Sequence, residues 1–344
     1  MAVTIKDVAK HAGVTIGTVS RAINGYKDIK PATKERVFES IRELGYTPNV
    51  IARGLSAKTA PNFGVIVSGL LDSNRNDNLW YLMLQGIYRF ALEHEIEVSV
   101  YAIDSKRQRQ KSYTQFCRER NIAGAILSGI TTTDAYFKEL VDAAIPCVVI
   151  DVPVVGDKVG CVSIDNIKAA REITDYVLGQ NHRKIVVIAG KKNAAVTLER
   201  AAGIQAGMSA HGLELTHENL FYCDFSEAKA CEKTKEYIEK WGKTGATAFL
   251  CMSDIMAFGV IRAIRECGYS VPGDFSVAGF DGIPLSEYMI PPLTTVFQDV
   301  AKNGYEGASL LKKLIDNSTY ERHIYLPHQL IVRDSVAMLP SPEQ

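Results

Sequence analysis

The sequence predicts a small all-α helix-turn-helix head joined to an α/β body of two doubly wound parallel-sheet lobes. Three observations predict it. Residues 3–44 show three short helical patterns and no strand-like run. From Pro61 onward, short continuous apolar runs alternate with helical patterns, as expected of parallel sheets covered on both faces. These runs form two series of five, which indicates two similar lobes rather than one long sheet.

The head comes first, over residues 1–46. Helices are expected over residues 5–12, 16–24 and about 32–44. In the last of these, Pro31 and Thr33 are start signals and Gly45 a stop signal. The second helix is thin in large apolar residues: Val14, Val19 and Ile23 can face a core, while Thr15, Thr18, Ser20, Arg21 and Asn24 point outward. Residues 47–60, "TPNVIARGLSAKTA", form a second zone, a hinge of one short helical pattern and a polar linker. So short a helix is marginal alone in water.

The body is expected over residues 61–344. Its first strand series is "FGVIVS" (63–68), "EVSVYAI" (97–103), "GAILSG" (124–129), "PCVVID" (146–151) and "CVSID" (161–165). Its second is "KIVVIAG" (184–190), "LFYCDF" (220–225), "AFLCMSD" (248–254), "SVAGFD" (276–281) and "LTTVFQD" (293–299). Helical patterns such as "YLMLQGIYRFALEHE" and "IMAFGVIRAIRECG" lie between them.

Length and composition fit this plan. A chain of 344 residues, 47% hydrophobic and 23% charged, holds two or three globular domains. The formal net charge of zero hides an asymmetry. Residues 1–60 carry ten Lys and Arg against five Asp and Glu, leaving 29 against 34 for the rest. A basic head on an acidic body implies a polyanionic partner at one end, with a solvated surface as the alternative. No export signal and no run of the ~20 apolar residues that would cross a bilayer is visible, so a cytoplasmic protein is expected. The seven cysteines lack any C-x-x-C pair and sit partly within apolar runs, which fits buried, reduced thiols.

"IKDVAKHAGV" followed by "TIGTVSRAING" reads as helix, tight turn, helix. In such units the second helix enters the DNA major groove, N-terminal residues toward the base edges. Gly17 leaves room for close approach, Arg21 can reach guanine acceptors, and Ile16 can touch a thymine methyl. The short hydroxyls of Thr15, Thr18 and Ser20 can bond phosphates. The alternative is a small helical cap on the larger domain.

"TIKDVAKHAGVTIGTVSRAING" with "ATKERVFESIRELGYTPNVIARGL" strongly resembles the head and hinge of the lactose/galactose repressor family. The likeness continues through "VSIDN", "NHRKIVVIAG", Arg200 to Gly203, "SDIMAFGVIRAIRECGYSVPGDFSVAGFD" and "PPLTTVFQD", covering nearly the whole chain. It implies a DNA-binding head, a hinge helix and a two-lobed effector domain of the periplasmic sugar-binding type, assembled as a homodimer on a pseudo-palindromic operator. Ile16, Gly17 and Arg21 occupy the family's base-reading positions. Thr4, Thr15, Thr18, Ser20, Asn24, Thr33, Tyr46 and Asn49 match its phosphate-contacting ones. Ala52 falls on the hinge, and Leu55 matches the hinge leucine wedged into the minor groove.

In open α/β sheets, ligands sit beyond the carboxyl ends of the strands. That rule selects Ser68, Asp72, Asp104, Ser128, Asp151, Phe225, Ser253 with Asp254, and Asp281, with Arg200 on the helix after "VVIAG". Trp80 supplies an aromatic face, Tyr81 being its alternative one residue on. Polar groups and rings converging on a cleft suit a sugar. The resemblance places Arg200, Asp281 and Asp151 at ligand positions; the competing reading for Arg200 and Asp281 is a cross-lobe salt bridge. Ser253 stands where many members carry Asn, and "DSNRNDNLWYLMLQG" lacks the family's Pro.

No catalytic residue, metal or cofactor is expected. His182 in "GQNHRKI" reads as a helix-end cap and His11 as part of the head's turn region. The phosphate loop and the G-x-S-x-G elbow are both missing. The expected function is an operator-binding transcription repressor, not an enzyme, controlled by a small-molecule effector that is a sugar or sugar derivative. The alternatives are a purine or nucleoside effector, or a phosphoprotein co-regulator docking on the first lobe, where "DSKRQRQKSY" (104–113) is basic. A transporter's solute-binding protein would share the body but not the basic head. The end "RDSVAMLPSPEQ" lacks a leucine heptad, so dimerisation is expected through the first lobes instead.

Overall fold

The computed structural model describes residues 3–23, 26, 28–46, 62–70, 79–154 and 156–340. The chain divides into two compact units, Met1–Ala60 and Pro61–Gln344. The expected hinge helix, with Asn49, Ala52 and Leu55, lies outside the described residues, as do Asn24 and Asp72.

The first unit holds α1 (Ile5–Ala12), α2 (Ile16–Ile23) and α3 (Pro31–Leu44). Local chemistry sets their ends. The Thr4 backbone N–H and hydroxyl both donate to Asp7 Oδ2, at 2.8 and 2.7 Å, which starts α1. Thr15 Oγ1 accepts the Thr18 N–H at 3.2 Å and so caps α2. Gly13 and Gly45, both left-handed, end α1 and α3. The core is built from small side chains, Val8, Ala9, Ala12, Val19, Ala22 and Val37, which lets three short helices approach closely. Val14 and Ile23 pack against it, as expected. His11 is not a turn residue. It ends α1 facing α3, its Nδ1 3.1 Å from Ser40 Oγ and its Nε2 3.6 Å from Glu43.

The second unit contains two six-stranded sheets. The first comprises β1 (Asn62–Val67), β2 (Glu97–Ala102), β3 (Gly124–Ser128), β4 (Cys147–Ile150), β5 (Val159–Ile164) and β11 (His323–Leu326), in the order β11-β5-β4-β3-β1-β2. The second comprises β6 (Ile185–Ala189), β7 (Leu220–Tyr222), β8 (Ala248–Cys251), β9 (Ser276–Asp281), β10 (Thr294–Gln298) and β12 (His328–Ile331), in the order β12-β10-β9-β8-β6-β7. All ten expected strands are present. The last two, β11 and β12, were not expected: each has four residues, and partly exposed edge positions such as Tyr325 and Gln329 blur any apolar run. β12 pairs antiparallel with β10; the other named pairs are parallel.

The helices of this unit are α4 (Leu79–Glu93), α5 (Ser105–Gln110), α6 (Tyr113–Glu119), α7 (Ala135–Leu140), α8 (Asn166–Gly179), α9 (Ala195–Ala210), α10 (Glu227–Trp241), α11 (Asp254–Glu266), α12 (Leu285–Tyr288) and α13 (Val300–Ile315). The lobes are not consecutive halves of the chain. α13, late in sequence, packs on α4 and on β3, β4 and β5 of the first lobe. The chain therefore crosses between lobes three times, after β5, after β10 and after β11. The first two crossings repeat one local design. Asp165 (φ −74°, ψ 86°) and Asp299 (φ −82°, ψ 85°) each accept the N–H three residues on, both at 2.9 Å. His182 is no helix cap either. It is fully buried, Nδ1 2.9 Å from Thr247 Oγ1 and Nε2 3.0 Å from the Ala337 carbonyl, and so fastens the C-terminal segment. Six cysteines are buried and all seven are free thiols.

α4 and α13 touch backbone to backbone. A Cβ at Gly86 would collide with the Ala301 carbonyl, and one at Gly304 with the Met83 carbonyl. Neither obstacle is a flexible side chain. Gly86→Val should therefore force the two helices apart and destabilise the body by about 3 kcal/mol or more, read as a lowered urea midpoint.

Candidate functional site

Two surfaces gather the residues selected from sequence, one in each unit. In the head, α2 turns Ile16, Gly17 and Arg21 outward, with Ile16 45% exposed. Thr15 is exposed beside them, and Thr18 and Ser20 are half-buried. Thr15, Gly17, Thr18, Ser20, Arg21, Tyr26 and Ile29 line one shallow surface concavity. Arg21 meets Asp28 at 3.0 Å and lies 5.8 Å from the Tyr26 ring centre. Both charged groups are more than half exposed, so exchanging Asp28 for another acceptor costs little. The Thr15 hydroxyl is already engaged, capping α2 and lying 2.9 Å from Thr18 Oγ1. Thr33 is half-buried at the start of α3, Tyr46 packs on the head's core, and the Thr4 hydroxyl is held by Asp7.

A Cβ built on Gly17 would meet only Thr15 Oγ1, at an ordinary 3.8 Å. The head's own packing therefore does not require glycine there, and the space opens outward from the polar face. Gly17→Ala should leave the head folded, even gaining up to about 1 kcal/mol of helix stability. It should nevertheless weaken binding to operator DNA, read by fluorescence anisotropy beside a melting curve.

In the body, a cavity of about 620 Å³ lies at the carboxyl ends of both sheets. Ser68, Ser128, Asp151, Arg200, Phe225, Ser253 and Asp281 all line it. Trp80 does not. Leu79 takes that place, while Trp80 packs half-buried on the core with its ring edge-on to Tyr81 at 6.2 Å. α4 begins at Leu79, and one residue along a helix turns a side chain by about 100°. Lys191, Asp224 and Gln298 also line the cavity, each within two residues of a strand's carboxyl end. The strand-end rule would have selected them too. Lys229 joins them from α10, where only the helix orientation brings it in.

Arg200 organises the second-lobe wall although it is 3% exposed. Its Nε donates to Asn166 Oδ1 at 2.9 Å, and Nη1 donates to the Met252 carbonyl at 2.5 Å. Nη1 also lies 3.4 Å from Asp281 Oδ1, and the guanidinium covers the Phe280 ring at 3.7 Å. The Arg200–Asp281 pair is therefore real but lies within one lobe, not across the two. Asp281 Oδ1 accepts the Gln298 Nε2 donor at 2.8 Å. That contact fixes the amide, leaving Gln298 Oε1 enclosed without a hydrogen-bond partner. Asp254, fully buried behind them, accepts from Ile283 N and Thr295 Oγ1 at 2.9 and 2.6 Å and holds the loop after β9. Burial, then the neighbouring Asp281, holds its pKa well above the carboxylate range. Ser253 Oγ caps α11 by accepting the Met256 N–H at 3.3 Å. Phe225, at φ 59°, lays its ring over Gly190, where no side chain would fit.

Asp151, at φ 61°, carries a second enclosed, unpartnered oxygen, Oδ1. Burial pushes its pKa up to about 6, with Arg200 opposing and Glu199 reinforcing the rise. Two residues of the cavity wall, Asp151 and Gln298, thus each carry an enclosed acceptor without a hydrogen-bond partner. Among the described residues, no group of His, Cys, Asp and Glu could hold a metal ion.

The raised pKa has a stability consequence. The folded body favours protonated Asp151, a stabilisation present below the unfolded value near 4 and lost as pH rises through about 6. Its full size is on the order of 3 kcal/mol. Asp151→Asn should therefore gain stability relative to the wild type between pH 4 and 7.5, in urea melts of ligand-free protein. A constant difference across that range would show Asp151 ionising freely.

Residues 4–49 match the family model described as bacterial regulatory proteins, lacI family, and residues 174–336 match the periplasmic binding protein-like domain. The chain is 28% identical to the HTH-type transcriptional repressor PurR of Vibrio vulnificus, over 97% of this chain and 98% of that protein. It is 28% identical to catabolite control protein A of Priestia megaterium, over 97% and 99%. Among solved structures, it superposes on the Lac repressor dimer bound to operator and the anti-inducer ONPF with a TM-score of 0.84, at 25% identity over 98% of this chain and all of that one. The transcriptional regulator CelR–cellobiose complex matches with a TM-score of 0.72, at 28% identity over 97% and 99%. A helix-turn-helix head, a two-lobed α/β body and near full-length relatives agree: this chain carries a DNA-binding region of the bacterial regulatory, lacI-family type at residues 4–49 and a periplasmic binding protein-like domain at residues 174–336.

Proposed function

We propose that this protein is a cytoplasmic transcription repressor that binds a pseudo-palindromic DNA operator as a homodimer and is controlled by a small, donor-rich effector in the cleft. The observation that carries the reading is the outward polar face of α2, centred on a glycine that the head's packing does not need. Ile16, Gly17 and Arg21 read bases; Thr4, Thr15, Thr18, Ser20, Thr33 and Tyr46 set the register on phosphates. Asn24, Asn49, Ala52 and Leu55 belong to the same proposal by family position. Arg21 leaves Asp28 for guanine on binding.

In the cleft, Asp151 and Gln298 accept from the ligand, the Arg200–Asp281 pair orients it, and the Phe225 ring supplies an apolar face. A sugar ring meets these requirements, its neighbouring hydroxyls serving the polar groups and its C–H face the Phe225 ring. No catalytic role is assigned to any residue. A second reading rests on α5, whose Lys106, Arg107 and Arg109 are exposed on the first lobe: an anionic protein co-regulator docking there.

A thermal-shift screen of the full chain against sugars, sugar phosphates, nucleosides and purine bases tests the cleft. A true effector at ~100 times its dissociation constant stabilises the protein by about 2.7 kcal/mol. Phe225→Ala should remove that shift and leave operator affinity unchanged. A panel without a hit, together with co-purification of a partner that Arg107→Glu abolishes, would favour docking at α5.

A further inference from the structure

The three chain crossings all leave the carboxyl ends of strands on one side of the body. β11 and β5 form one edge of the first sheet, and β12 and β10 one edge of the second. Three covalent connections at one side leave the lobes able to rotate about it. On the other side of the cavity, the loop after β3 meets the loop after β6, with no chain connection between them.

There the two lobes are hydrogen-bonded together. The Thr132 N–H and hydroxyl both donate to the Asn193 carbonyl, at 3.0 and 3.1 Å. In return, Asn193 Nδ2 donates to Thr131 Oγ1 at 3.3 Å and Thr133 Oγ1 at 2.7 Å. Each partner is held ready by its own lobe. The buried Asp134 carboxylate accepts the Thr131 N–H at 2.9 Å and the Ser105 hydroxyl at 2.6 Å, which sets the threonine loop. Asn193 sits in the turn closed by Ala194 N–H to the Lys191 carbonyl at 3.0 Å, directly before α9. Beside it, Ala195 packs into the apolar cluster of the first lobe. Thr131, Lys191 and Ala194 also line the cavity, so this junction forms part of its wall.

We infer that Thr131, Thr132, Thr133 and Asn193 form a latch that holds the lobes closed over the cavity and sets how fast a ligand enters and leaves. Its consequence for ligand exchange rests on the cavity being the effector site; the latch itself does not. The residues are polar, two of the four bonds involve side chains alone, and Thr133 is exposed, so water can replace these bonds at little cost. Opening at this junction breaks four replaceable hydrogen bonds and withdraws Ala195 from the first lobe's apolar cluster, while the crossings remain intact.

Hydrogen exchange of the ligand-free full chain, resolved to single amides, tests it. Asn193→Ala loses two bonds between the lobes and should speed exchange of the Thr132 amide about tenfold; Thr133→Val loses one between the lobes, besides its contact with Thr131 Oγ1 in its own loop, and should speed it about threefold. Thr133→Ser should keep the wild-type rate. The amides of Ala123 and Cys223, bonded within a single lobe, should not change in any variant. An unchanged Thr132 amide in both Asn193→Ala and Thr133→Val overturns the latch, as does equal acceleration at Ala123 and Cys223 or failure of Thr133→Ser to restore the rate. These outcomes need no ligand, so they stand apart from the thermal-shift result. With a ligand in hand, Asn193→Ala should also release it faster.

Discussion

A buried guanidinium must be neutralised and hydrogen-bonded where it lies, and the second lobe is arranged around meeting that demand for Arg200. An unpaired ion at 3% exposure would cost several kcal/mol. The partners that prevent it come from four separated places: Asn166, the Met252 carbonyl, Asp281 and, through Asp281, Gln298. Two of these are pivots. Asn166 is the first helical residue after the first crossing, and Gln298 the last strand residue before the second. A ligand that touches Arg200, Asp281 or Gln298 therefore acts on groups bonded to the chain's own crossing points. This gives occupancy of the cavity a short physical route to the relative setting of the lobes. By linkage, whatever the setting does to operator affinity, the operator must do in return to ligand affinity.

Around that pair, the cleft divides its polar groups into satisfied and unsatisfied. Asp254 and Ser253 spend their acceptors on the loop after β9 and on the start of α11, so they shape the wall. Asp151 Oδ1 and Gln298 Oε1 have no protein partner. Enclosed acceptors left unmet are costly, so the wall gains from any rearrangement that brings a donor to them. The rise of the Asp151 pKa is the same cost seen through protonation.

The interleaved path of the chain gives the two lobes unequal fastenings. α13 returns from the second lobe to pack on α4, held at glycine contacts too close to slide. One side of the body is thereby tied covalently by the three crossings, while the helix packing holds α13 to the first lobe. The opposite side depends on four hydrogen bonds between Thr131–Thr133 and Asn193 and on the apolar contact of Ala195 with the first lobe. Rotation about the strong side with release at the weak one is the motion that this arrangement permits most cheaply.

By itself the sequence determined the element types, the head's three helices, ten of the twelve strands and the side of the sheets on which a ligand site must lie. These follow from local signals: apolar period, Gly and Pro stops, and the rule that places sites past strand ends. Hence Ser68, Ser128, Asp151, Phe225, Ser253 and Asp281 could be named before any contact was known. Tertiary structure alone decided the rest. Trp80 yielded to Leu79 because helix phase turns on where the first turn begins. The Arg200–Asp281 pair stayed within one lobe, and Lys229 reached the cavity, because those outcomes depend on helix orientation across the sheet. β11 and the placement of α13 depend on partners more than a hundred residues away, and β12 on β10 about thirty residues back, so no local window of sequence carries that information.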